Sequence, residues 1–167
     1  NTHAQTYLTK GSAGGVNFCE VPWVAIFDRE ITQSARKGYY IVYLFDPKMN
    51  GLYICLGIGW TQYEDRYNNI AESREKIIEH SKQAKDSLRS TQGFSKEEIN
   101  LDANNTLGRG YKLGNIINKY YPKENITTDD QIIIDLQYMI GVYRELKGML
   151  GTDVFTFDTD TSLSTPN

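Results

Sequence analysis

Residues 37–45 read KGYYIVYLF, residues 46–51 read DPKMNG and residues 52–60 read LYICLGIGW. β-Branched and aromatic side chains crowd the two outer runs, and the Asp, Pro, Asn and Gly between them form a turn signal. The stretch is therefore expected to be a β-hairpin, with strands at 39–46 and 52–60. Successive strand residues face opposite sides. Tyr40, Val42 and Leu44 thus share one face, and Tyr39, Ile41, Tyr43 and Phe45 share the other. This pattern allows one face to enter a core while the other lines a pocket. It equally allows both faces to be buried, with Tyr40 simply packed. Gly57 and Gly59 mark a bulge or a close backbone approach.

Upstream, Val21–Asp28 reads as a further, mostly buried strand. Before it, residues 1–13 are a polar lead-in with room for a short strand around Tyr7 and Leu8. The stretch DREITQSARKG at 28–38 reads as a polar, mobile loop. Downstream, Tyr67, Ile70, Ala71, Ile77, Ala84 and Leu88 recur at helical spacing among charges, giving one long amphipathic helix or two between Glu64 and Ser90, ended by Gly93. Ser95-x-x-Glu98 has the form of a capping box for a short helix. GRGYKLGNIINKYY at 108–121 is expected to hold a strand near 109–113 and a helix near 114–121. A second long helix follows ENITTDDQ, capped by Thr127 or Thr128, with Asp129 and Asp130 in its first turn and Gly148 and Gly151 at its close. Strands, helix, mixed segment and helix, without internal repeats, give an α+β class: a curved, mostly antiparallel sheet packed with two main helices. Residues 1–150 form the expected domain. The Thr-, Ser- and Asp-rich residues 151–167 read as a linker to an absent effector domain.

A chain of 167 residues, 40% hydrophobic and 23% charged, has the composition of a folded domain rather than a disordered segment. A net charge of −3 excludes a generally basic nucleic-acid coat. The last 17 residues hold three Asp and no Lys or Arg, which leaves 18 charges of each sign over the first 150. A local basic face is thus available from Arg29, Arg36, Lys37 and Lys48, or from Arg109, Lys112, Lys119 and Lys123. Twelve of the twenty aromatic residues are Tyr, which suits a binding surface but also suits strands. Cys19 and Cys55 lack metal-ligand spacing and have no nearby His, so they read as buried, reduced thiols of a cytoplasmic protein. Neither a signal peptide nor a membrane-length apolar run is present. The first residue is not Met, which fits a piece of a longer protein.

Catalytic motifs are lacking. There is no nucleophile elbow and no phosphate-binding loop. Asp28-x-Glu30 follows a strand in the manner of a nuclease metal pair, but without a nearby strand Lys. His80 lies among helix charges and reads as solvent-exposed. The sequence therefore favours a binding module with no catalytic residues, no cofactor and no metal.

GGVNFCEVPWVAIF at 14–27, followed by KGYYIVYLF and LYICLGIGWT, resembles the N-terminal DNA-binding domain of McrB-type modification-dependent (type IV) restriction proteins. The similarity runs over residues 10–148, and its most specific part is the block 14–60. The later GYKLGNIINKYY and DLQYMIGVYREL also look like family features. The resemblance implies binding of duplex DNA that carries a modified cytosine, eversion of that base into a pocket, and a partner effector that is a nuclease or an NTPase domain or subunit. It implies no membrane and no catalysis by the isolated domain.

By the same resemblance, an aromatic and an aliphatic residue four apart on the G-x-Y strand clasp the base; here these are Tyr40 and Leu44. Gly14 and Gly15, with Val16, would form the pocket floor. Asn17 would reach a base edge or cap its turn, and Trp23 would border the pocket or belong to the core. Where a methylcytosine-binding relative has Tyr between two glycines, this chain has Gly15 followed by Val16. The missing side chain leaves room for a base bulkier than 5-methylcytosine, unless another aromatic fills it. In the 28–38 loop, Arg29, Arg36 and Lys37 are candidates for phosphate contacts, and Gln33 or Ser34 for the gap left by an everted base. Two other functions remain open: a reader of modified RNA or a nucleotide, and a protein-interaction module of a defence complex.

Overall fold

The computed structural model describes residues 3–13, 21–101, 106–126 and 128–159. A one-turn helix α1 (His3–Thr6) leads into β1 (Tyr7–Ser12), and β2 (Trp23–Asp28), β3 (Tyr39–Phe45) and β4 (Gly51–Ile58) follow. After three helices comes β5 (Asn115–Pro122). The strands hydrogen-bond in chain order, every neighbouring pair antiparallel. The α+β class and the two main helices hold, but the expected curvature is not a marked feature of the sheet. The hairpin registers Tyr43 against Ile54 and Val42 against Cys55, and the ladder shifts between Leu56 and Gly57. Its turn is held by Asp46, whose carboxylate accepts the Asn50 N–H at 3.0 Å.

Both faces of β3 are buried, and the two-residue period divides them as the sequence does. Tyr39 and Ile41, with Ile54 and Leu56 of β4, enter one apolar cluster. Tyr40, Val42 and Leu44, with Cys55, enter a second with Ala25, Phe27, Ile99 and Leu101. Burying each large apolar side chain contributes about 1.5–3 kcal/mol, so this hairpin anchors both layers. The cluster containing Tyr39 is closed by α3 (Ile70–Ser87) and α5 (Asp129–Leu150), through Ile77, Ala84, Met139, Val142 and Leu146.

Of the one or two helices expected between Glu64 and Ser90 there are two, α2 (Thr61–Arg66) and α3, divided where the Asn69 side chain accepts the Ala71 N–H at 2.8 Å. Several other local expectations give way to tertiary pairing. Residues 109–121 are inverted relative to expectation: α4 spans Thr106–Gly114, and β5 begins at Asn115. Gly114 explains the switch, since a Cβ there would strike the Ile58 carbonyl oxygen of β4. The chain passes so close to β4 that it joins the sheet at once. Ser95 starts no helix; its backbone pairs with Asn118 of β5 in both directions, at 2.7 and 2.9 Å. Thr128 is the cap of α5, and Gly151, at φ 73°, ends that helix while Gly148 lies inside it.

His80 is not exposed. It is wholly buried, with Nδ1 2.7 Å from the Tyr63 hydroxyl and Nε2 2.9 Å from the Asp158 carboxylate. Burial works to raise the Asp158 carboxyl, but the hydrogen bond and charge of His80 hold it below the usual carboxylate range. Asp158 belongs to α6 (Thr156–Thr159), and Val154, Phe155 and Phe157 pack on the core beside it. The first nine residues of the segment read as a linker are thus part of the domain surface.

The helix α5 is fastened to the sheet at a particular defect. Pairing of β2 with β3 runs from Trp23↔Leu44 to Ile26↔Ile41 and stops there. Beyond it, the Tyr143 hydroxyl accepts the Asp28 N–H at 3.0 Å and donates to the Tyr39 carbonyl at 2.8 Å. One buried hydroxyl thus satisfies the two backbone groups that parting strands leave unpaired. One turn along, Lys147 Nζ meets the carboxylates of Asp28 at 2.9 Å and Glu30 at 2.6 Å. Tyr143→Phe keeps the ring and strands both backbone groups. The expected cost is about 2–4 kcal/mol, read as a melting temperature lowered by roughly 5–15 °C in thermal unfolding.

Candidate functional site

Where β2 and β3 part, residues 29–38 form a loop that is tied down rather than loose. The Asp28 carbonyl accepts the N–H groups of Ile31 and Thr32, and the Thr32 hydroxyl donates to the Ser34 carbonyl at 2.9 Å. Gln62 of α2 clamps the far end: its side chain accepts from the Gly38 N–H and donates to the carbonyls of Gly38 and Gly59. Gly38, at φ +65°, is in a conformation that favours glycine. A Cβ on Gly59 would lie 3.0 Å from the backbone of Arg36 and Lys37, so a side chain there would lift the loop off β4. The Tyr40 hydroxyl completes the anchorage, donating to the Ala35 carbonyl at 2.7 Å.

Between this loop, the sheet and α4 lies a cavity of about 120 Å³. Four aromatic side chains line it: Trp23, Tyr40, Trp60 and Tyr111. Ala35, Arg36, Ile58, Thr61 and Gly110 complete the wall. Trp23 and Tyr111 are half-buried, whereas Tyr40 and Trp60 are 3% and 6% exposed. Two rings therefore border the opening and two lie deeper. Tyr40 is fixed by an edge-on contact with Phe27, ring centroids 5.2 Å apart, and its cross-strand partner is Gly57, which brings no side chain to that face. Burial pushes the Tyr40 phenol well above its ordinary pKa, so it is a neutral ring with a committed hydroxyl.

Trp60 differs from its neighbours in one respect. Its indole Nε1–H is buried and meets no acceptor among the described residues. An unsatisfied buried donor costs about 1–3 kcal/mol. That donor is sealed within the wall rather than open to the cavity. The cavity itself suits a small flat ring gripped by aromatic faces.

The structure brings together part of the set expected from sequence. Tyr40, Trp23 and Arg36 line the cavity. Leu44 does not; it is buried in the same cluster, registered across from Trp23. Gly14, Gly15, Val16 and Asn17 lie outside the described residues, as does Cys19. Arg29 and Lys37 are exposed, and the Gln33 carbonyl accepts from Lys10 at 2.8 Å. The Ser34 hydroxyl accepts the Arg36 N–H at 3.2 Å. The Asp28-x-Glu30 pair is bridged by Lys147, which occupies the place a metal would need. Among the described residues, no group of three or more His, Cys, Asp or Glu is placed to hold a metal ion, and no helix is long and apolar enough to cross a membrane.

Trp60, Tyr111 and Gly110 were not singled out from sequence. Trp60 reads as the last residue of a strand, and Tyr111 falls in the segment whose helix and strand are exchanged. The available signal was the spacing of Gly110 and Gly114, one helical turn apart. Gly110 faces Trp60 so closely that a Cβ would sit 2.6 Å from the Trp60 Cβ. Gly110→Ala must displace the indole or α4. It is expected to cost about 1–3 kcal/mol and to shift the tryptophan emission spectrum; an unchanged spectrum and melting temperature would refute this packing.

Comparison with known proteins gives one family. The model described as "MrcB-like, N-terminal domain" matches residues 1–148. No curated protein and no solved structure matches the chain.

Proposed function

The chain belongs to the MrcB-like N-terminal domain family, and from that membership and the aromatic cavity we propose that it binds duplex DNA containing a modified base, a modified cytosine above all, by everting the base into the cavity. The observation that carries the reading is the cavity's combination of size and aromatic ring faces. A cavity of about 150 Å³ holds a benzene molecule. One of about 120 Å³ is thus on the scale of a single six-membered ring. Cytosine has that single ring, whereas a purine has two.

The energetics are compatible. Eversion costs roughly a few kcal/mol of lost stacking and pairing. Stacking of a base on an aromatic side chain returns about 1–3 kcal/mol. Capture of the modification inside a closed site then adds discrimination that a lone methyl in the major groove supplies weakly. In this proposal Trp23, Tyr40 and Tyr111 enclose the ring and Leu44 backs Trp23, while Gly14, Gly15, Val16 and Asn17, which lie outside the described residues, remain candidate contacts of the base. The absent side chain at Gly15 extends the proposal to adducts bulkier than 5-methylcytosine. Arg29, Arg36 and Lys37 contact phosphates, and Gln33 or Ser34 fills the vacated stack. The domain is then the non-catalytic recognition module of a restriction system, working with an effector nuclease or NTPase domain or subunit.

The test is a panel of otherwise identical duplexes with one cytosine left plain or carrying a 5-methyl, 5-hydroxymethyl, glucosyl-hydroxymethyl or N4-methyl group, with an N6-methyladenine duplex alongside. 2-Aminopurine at the target position reports eversion. At least one modified duplex should bind roughly tenfold or more tightly than the plain one, about 1.4 kcal/mol. Tyr111→Ala, which removes one ring face of the cavity, should remove most of that preference while leaving plain-duplex affinity nearly unchanged. Equal affinity across the panel, or tighter binding of single-stranded RNA, would contradict the reading.

A further inference from the structure

A second concavity, of about 540 Å³, is lined by residues of α3 and α4. Among the described residues, Arg74, Lys82 and Lys85 of α3 and Arg109 and Lys112 of α4 line it together with one carboxylate, Glu98. Five of the chain's 18 basic side chains thus converge on one groove with one of its 21 acidic ones. In a protein of net charge −3, that is a strong local reversal of sign. The α3 residues recur at helical spacing, Arg74, Ile78, Ser81, Lys82 and Lys85, so a single stripe of the helix forms this wall. Its floor is partly apolar, from Ile78 and Leu113. Ser81 joins the two helices, its hydroxyl donating to the Leu113 carbonyl at 2.8 Å. Lys82 meets Asp86 at 3.1 Å, but both side chains are largely exposed, so this pair neutralises little. Burial holds the Lys85 ammonium below its ordinary pKa, against the pull of Glu98 and Glu97, and a nearby anion would restore it.

We propose that this groove holds the sugar–phosphate backbone of duplex DNA. The occupant follows from charge and placement. Successive residues of α4 serve two sites: Gly110 and Tyr111 line the aromatic cavity, while Arg109, Lys112 and Leu113 line the groove. A duplex whose base enters one side of α4 must carry a phosphate strand past it, and the groove offers a row of cations there. Backbone binding of this kind is independent of sequence and of base modification. It therefore places the strand, whereas the cavity reads it. The inference rests on DNA being the ligand of the cavity, and its test separates the two.

The experiment measures binding of the 167-residue chain to an unmodified duplex over a range of salt concentrations. It compares wild type with Arg74→Gln/Lys82→Gln/Lys112→Gln and with a control triple of exposed residues away from the groove, Arg66→Gln/Arg89→Gln/Arg144→Gln. Each lost phosphate contact should reduce the slope of log K against log salt by about 0.9, so the groove triple should be shallower by roughly 2–3. The control triple should keep close to the wild-type slope. For a duplex with the preferred modification, the groove triple should retain the ratio of modified to plain affinity. If wild type shows no such ratio but the groove triple still flattens the slope, the cavity reading fails and the groove stands. If the groove triple keeps the wild-type slope, or matches the control triple, the groove is not a DNA site and the proposal is overturned. An acidic protein partner as true occupant would give that second result.

Discussion

The Tyr143 hydroxyl, set between the Asp28 N–H and the Tyr39 carbonyl, is the contact on which the working end of the molecule depends. Two antiparallel strands that part inside a protein expose backbone groups that must be paired. A single hydroxyl, with one proton to give and lone pairs to receive, meets both needs. Once the strands are parted, the chain between them has room for a ten-residue excursion that folds back over the sheet. That excursion, fastened by Gln62, Gly59 and the Tyr40 hydroxyl, is one wall of the aromatic cavity. The cavity is therefore a consequence of how a helix on one face of the sheet meets a defect in its ladder. Lys147, bridging Asp28 and Glu30 one turn further along α5, secures the same junction from outside.

The sheet serves two layers at once. The face carrying Tyr39 and Ile41 is spent on packing against α3 and α5. The face carrying Tyr40 and Val42 is covered mainly by loops and by α4, elements that leave gaps more readily than a long helix does. Both tryptophans of the chain stand at the gap beside Tyr40. Successive residues of α4 line both: Gly110 and Tyr111 the aromatic gap, and Arg109, Lys112 and Leu113 the basic groove.

Much of the hairpin was legible in the sequence. Period-2 alternation from Tyr39 to Phe45 sorts residues onto the faces they occupy, because each β3 position is registered against β4, and Ile41–Leu44 against β2 as well. The family resemblance drawn from residues 14–60 is met by the match over residues 1–148. The segment 106–122 was not legible, since its order is decided by contact with β4: Gly114 must abut the Ile58 carbonyl, and Asn118 must pair with Ser95. His80 was misread for a related reason. Its helix neighbours are charged, and the partners that bury it, Tyr63 and Asp158, lie 17 residues before and 78 residues after it. Trp60 and Tyr111 escaped because the cavity is assembled from elements far apart in the chain, and its one local mark, the Gly110–Gly114 spacing, points to a helix only once α4 is recognised as one.

The two tryptophans allow the central claim to be tested without any label. Tryptophan emission is followed while the protein is titrated with a duplex bearing the preferred modified base, and separately with the plain duplex at matched occupancy set by anisotropy. If an everted base lodges among Trp23, Tyr40, Trp60 and Tyr111, the modified duplex should change the emission and saturate at one site per protein, and the plain duplex should leave it nearly unchanged. The same emission change with both duplexes, or with neither, would contradict the account.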